Sequence, residues 1–132
     1  MSFIVVRIKW IMLVSGILTT SMIYAAIAPE AALNSTFGET LRGPVADIVV
    51  RNWGALITLI GAMLIWGAFD PPSRRLALVI AGASKSIFIG LVLAYGQQYL
   101  ARPLRISIIV DALMVAVFLA YLLAVRRSPI PA

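Results

Sequence analysis

Four long apolar runs, at about residues 10–28, 48–69, 76–96 and 104–125, leave this chain few ways to fold. Each holds about the 20 mainly apolar residues needed to cross the hydrocarbon core of a bilayer. In lipid, backbone N–H and C=O groups must find partners inside the segment or in a closed barrel, so runs of this length are helices. Only 12% of residues are charged and 62% are hydrophobic, far from the composition of a water-soluble domain. The expectation is an all-α integral membrane protein, with residues 1–132 forming a single four-span domain folded as a four-helix bundle.

The ends of the runs carry ordinary start and stop chemistry. Pro29 follows the first run, Gly43-Pro44 opens the second, and Asp70-Pro71-Pro72 ends it. Ser73 is a candidate N-cap for the third helix, Pro103 opens the fourth, and Ser128-Pro129 closes it. Short links between the later runs force antiparallel neighbours, giving an up-down-up-down order. The longer link carries Leu33, Phe37 and Leu41 at four-residue spacing, which predicts a short helix lying on the membrane surface. Trp10, Trp53, Trp66, Tyr24, Tyr95 and Tyr99 fall near the run ends and read mainly as interfacial anchors.

The net charge of +6 does not gather into a patch, so nucleic acid is not expected as a partner. Arg7, Lys9, Arg74, Arg75, Arg126 and Arg127 fall on one side of the four runs, and Arg42, Arg51, Arg102 and Arg105 on the other, beside Glu30, Glu39 and Asp47. The side richer in Lys and Arg is the cytoplasmic one, which puts both termini in the cytoplasm and the chain in a bacterial inner membrane as a multi-pass protein. Arg7, Lys9 and the triplet Ala26-Ile27-Ala28 imitate a secretory signal. The first run is nevertheless expected to stay as a span, because it is long enough to cross and Pro29 is a poor residue to follow a cleavage site. With no Cys and no His, disulfides, thiol chemistry and the usual zinc and haem ligands are excluded. No metal or other cofactor is expected.

Lys85 stands out, midway along the third run between Ser84 and Ser86. A Lys at that depth costs about 3 kcal/mol to insert, so it needs an interior partner. Asp111 is the acid well inside a run. Lys85 lies eleven residues before Gly96 and Asp111 seven after Leu104. At about 1.5 Å per residue their depths differ by about 6 Å, which a Lys stem can bridge. Ser107 precedes Asp111 by one turn, Ser84 adjoins Lys85, and Thr19 belongs to a small polar stripe with Ser15, Gly16 and Thr20. Arg51 and Asn52 lie near the outer end of the second run and extend the candidate polar cluster into a ladder of charges. A local alternative pairs Arg51 with Asp47, four residues earlier. Close helix approach is expected where small residues share a face: Gly54, Ala55, Thr58 and Ala62 on the second run, Ala81 and Gly82 on the third.

The run Arg51-Asn52-Trp53-Gly54, the ending Phe69-Asp70-Pro71, and Lys85 with Asp111 together resemble small four-span, DoxX-like bacterial inner-membrane proteins. That resemblance implies the four-span architecture and attaches no activity. The chain also approaches small multidrug transporters in size, but departs from them by having no acid in its first run.

Three functions compete. The first is an accessory membrane component, or a module that binds a lipid or small molecule in the bundle, with membrane lipid, another membrane protein or a second copy as partner. The alternative is a homo-oligomeric transporter or proton-coupled carrier using Lys85 and Asp111. The third is an intramembrane isomerase with Asp111 as base and Lys85 or Tyr95 as acid. No nucleophile elbow, phosphate loop or metal-ligand cluster supports an enzyme.

Overall fold

The computed structural model describes residues 2–100 and 104–127. Among them the chain is helical and has no strand. The α-helices are α1 (Ser2–Thr20), α2 (Ile23–Ile27), α3 (Pro29–Phe37), α4 (Pro44–Phe69), α5 (Arg74–Tyr95) and α6 (Leu104–Arg127), with 3-10 turns at Pro71–Ser73 and Gln97–Tyr99. Four helical stretches are long and apolar enough to cross a membrane: Phe3–Ile27, which joins α1 to α2, then Pro44–Phe69, Pro71–Tyr95 and Leu104–Val125. The first begins earlier than residue 10 because Phe3, Ile4, Val5, Val6 and Ile8 extend the apolar helix through Arg7 and Lys9. Lys9 turns its ammonium onto the Phe69 ring, 4.9 Å from the centroid, so its charge leans on the end of α4. Arg102, Pro103 and the Ser128-Pro129 stop lie outside the described residues.

The first span is broken at Ser21 and Met22. Thr19, Thr20 and Ser21 each turn a hydroxyl back to a carbonyl three or four residues earlier. The Ser21 and Met22 amides reach only three residues back, at 3.3 and 3.2 Å. Side-chain donors competing for the helix's own acceptors loosen the ladder at that point.

Pro29 and Pro44 occupy the first turns of α3 and α4, where a missing N–H costs nothing. Gly38, at φ 75, ends α3 with its N–H on the Asn34 carbonyl at 2.9 Å. That turn explains why the apolar spacing holds for buried Leu33 and half-buried Phe37 and then fails at exposed Leu41. At the far end of α4, the Asp70 carboxylate accepts from the Trp66 indole at 3.2 Å and from the Ser73 hydroxyl. Ser73 therefore tightens the turn and does not cap α5 as expected. Arg74 is likewise spent inside the fold, with Nε and Nη2 on the carbonyls of Gly67 and Ala68 at 2.9 and 2.8 Å.

Small residues bring α1 against α4. A Cβ on Gly16 would lie 2.8 Å from the Gly61 carbonyl oxygen, and one on Gly61 would lie 2.6 Å from the Thr20 nitrogen. Further along, a Cβ on Gly54 would meet the Ala26 nitrogen at 2.6 Å, which seats α2 on the same helix. The contact face of α4 thus runs through Gly54 and Gly61, and Ala62, expected on it, is exposed. Gly82, expected at a close approach on α5, has open space in front of it, whereas Ala81 is fully buried.

The larger core cluster lies where α1 begins and α6 finishes. There Ile8 and Met12 pack with Leu64, Leu78 and Phe118, among others. A second, smaller cluster around Val92, Leu104 and Ile108 takes in Phe37 and Tyr99 at the end that carries α3. Between the two clusters lies the polar centre.

Candidate functional site

Lys85 is 8% exposed, and its position on α5 turns its stem between α1 and α6. Its Nζ donates to Asp111 Oδ1 at 3.0 Å and to Thr19 Oγ1 at 3.1 Å. The Thr19 hydroxyl is free to accept because its own proton goes to the Ser15 carbonyl at 2.7 Å. Three helices are thereby tied at one ammonium. The expected Lys85–Asp111 pairing is present, and it is the ion pair found among the described residues. A pair this poorly exposed is weakly screened, and removing one member leaves the other as a buried, uncompensated charge.

The pair lines a half-open cavity of about 300 Å³ to which α1, α3, α4, α5 and α6 contribute. Thr19, Ser84, Lys85, Ser107 and Asp111 make its polar side. Ser84 and Ser107 spend their hydroxyls on no other described residue. Thr36 comes from α3, and Met22 from the break in the first span. The opposite wall is apolar: Ile57, Ile60 and Met114, with Trp53 and Phe88 stacked at 6.4 Å between centroids and 28° between planes. Of the lining residues, Lys85 and Asp111 alone are ionisable.

Five of the seven expected site residues are thus brought together: Lys85, Asp111, Thr19, Ser84 and Ser107. The other two are placed elsewhere. Arg51 Nη1 donates to the carbonyls of Ala26 and Ile27 at 2.7 and 3.3 Å, capping the end of α2. It pairs neither with Asp47 nor with Asp111, so no ladder of charges forms. Asn52 is exposed and does not line the cavity. Tyr95, weighed as an acid, is 80% exposed on the bundle surface.

Sequence reasoning missed the aromatic wall. Trp53 read as an interfacial anchor, yet Trp53, Ile57 and Ile60 share one helix face, and Phe88 follows Lys85 by three residues. Extending the spacing argument from the polar residues to their apolar neighbours would have found it.

α3 roofs this end of the bundle. Next to Thr36, the Phe37 ring meets Tyr99 edge-on at 5.4 Å between centroids, and the Tyr99 hydroxyl donates to the Glu39 carboxylate. That hydrogen bond, ahead of the lesser effects of burial and of the carboxylate charge, raises the Tyr99 pKa above its ordinary 10.0.

Fold and site define a helical protein with four stretches fit to cross a membrane and an ion pair lining a half-open cavity between the helices. Compared with protein-family models, with curated proteins and with solved structures, the chain finds no match.

Proposed function

We propose that this chain is a multi-pass protein of the bacterial inner membrane, up-down-up-down with both termini cytoplasmic, that binds a small amphipathic molecule or lipid moiety inside its bundle. The observation that carries the reading is the cavity: a polar end made by Lys85, Asp111 and Thr19 faces an apolar, aromatic wall. Such a division is typical of small-molecule sites, which run from about 300 to 1,000 Å³ and fix their ligand by a few placed polar groups. Membrane lipid supplies the ligand or the route to it, and the short loops fit an accessory role beside another membrane protein or a second copy.

The carrier reading is less favoured. The packed cluster of Met12, Leu64, Leu78 and Phe118 lies between the cavity and the termini, so a pathway would have to open the main hydrophobic cluster. The isomerase reading loses its second acid, because Tyr95 faces away.

Native mass spectrometry of protein released gently from its own membrane tests the proposal. The wild type is expected to carry a small molecule that Lys85→Ala does not. Wild-type protein repeatedly free of any adduct, with a polypeptide partner bound equally by both forms, would make the pair architectural and defeat the binding reading.

A further inference from the structure

We infer that the cavity selects an uncharged lipophilic alcohol over a lipophilic ion of either sign. The inference rests on the binding reading above and adds the chemistry of the ligand's polar end.

Charge balance comes first. Lys85 and Asp111 are the ionisable residues of the lining and sum to zero. A carboxylate or an ammonium entering beside them would bring an unmatched charge into a poorly solvated space.

Hydrogen-bond capacity then narrows the choice among neutral groups. The Lys85 ammonium has three N–H donors and gives one to Thr19 and one to Asp111, keeping the third. On Asp111 only Oδ1 has a partner among the described residues. No buried side-chain oxygen or nitrogen among the described residues lacks a partner, so Oδ2 keeps accessible surface, on a residue that lines the cavity. The vacant donor and the vacant acceptor therefore lie on the two members of one ion pair. A hydroxyl accepts from the first and donates to the second. A ketone or ester carbonyl accepts only and leaves Oδ2 unmatched. A carboxylate does the same and is repelled by Asp111, while an ammonium donates only and is repelled by Lys85.

Trp53, Phe88, Ile57 and Ile60 offer the alcohol's body an apolar wall. At about 30 Å³ for each water in the liquid, the roughly 300 Å³ cavity equals about ten waters, a fit for a compact lipophile or for one end of a longer one.

The test uses the full chain with Trp10→Phe and Trp66→Phe in lipid nanodiscs whose belt protein is tryptophan-free, so that fluorescence reports Trp53 alone. Decanol, decanoate and decylammonium are titrated at neutral pH, each affinity being referred to that probe's own partitioning into empty discs. Decanol is expected to bind about tenfold or more tightly than either ion. Asp111→Asn should turn the preference to decanoate, and Lys85→Gln should turn it to decylammonium. If one variant fails to assemble, the other and the wild-type series still decide. An ion that matches decanol on the wild type overturns this inference and leaves the binding reading standing. No saturable signal from any of the three probes defeats both.

Discussion

Lys85 shows how much a single buried side chain can organise. Its ammonium holds α1 through Thr19 and α6 through Asp111, so truncating either charged partner should do more than delete one contact. We expect Asp111→Ala to lower stability by about 3–5 kcal/mol, because the Lys85 charge is then stranded. Lys85→Met with Asp111→Leu together should cost much less, measured by unfolding the detergent-solubilised protein in a double-mutant cycle. Equal losses in the single and double variants would contradict this account. The pair was legible in the sequence because it joins the most deeply placed base and acid on neighbouring helices. Arg51 was not legible in the same way, since its partners are backbone carbonyls more than twenty residues away, and any residue type supplies those. Tyr99 gives a test by pH. Its phenol is held protonated by Glu39, so the contact with Glu39 is intact below the ordinary tyrosine range and is lost as pH rises through the raised value. Glu39→Gln should bring one tyrosine's ionisation to lower pH in an absorbance titration.

Among the elements, α4 is the spine on which α1 and α2 are both seated, and glycine makes that seating possible. Gly61→Ala would place a methyl carbon against the backbone of Thr20 and Gly16, and α1 would have to move away. A loss of about 1–3 kcal/mol is expected for such overpacking. Gly82→Ala and Gly90→Ala, where nothing lies within 4 Å, should be neutral or slightly stabilising through helix propensity. Thermal unfolding of the three variants side by side decides it. The spacing of small residues announced a close approach on this helix, but Gly61 and Ala62 are neighbours only one step around it. Only the position of α1 distinguishes the two faces. The break at Ser21 and Met22 was missed for a related reason. Three successive hydroxyl residues are common in apolar helices, and whether their back-bonds loosen a helix depends on what the next turn packs against.

Across the whole molecule the packing is uneven, solid near the chain ends and hollow beneath α3. The number of membrane-length helices was legible, because hydropathy acts within each segment, whereas the start of the first was not, because Arg7 and Lys9 mask the apolar residues before Trp10. The hollow was not, because it depends on five helices meeting imperfectly around one ion pair. Orientation is open to a direct test, since the chain has no native cysteine to confuse labelling. A membrane-impermeant thiol reagent applied to intact spheroplasts should label Leu41→Cys at once and Arg75→Cys only after permeabilisation. The reverse pattern would invert the proposed topology.

The ion pair also bears on how the protein is made. As each leaves the ribosome, α5 carries a cation about midway along it and α6 an anion nearer its start, and a charge at a helix centre costs about 2.5–3.5 kcal/mol on entering lipid. The turn between them is short enough for the two charges to meet before either is committed to the hydrocarbon, so the pair should insert as one hairpin. Nascent chains ended before α6 should therefore leave α5 exposed to the aqueous side more often than chains ended after it.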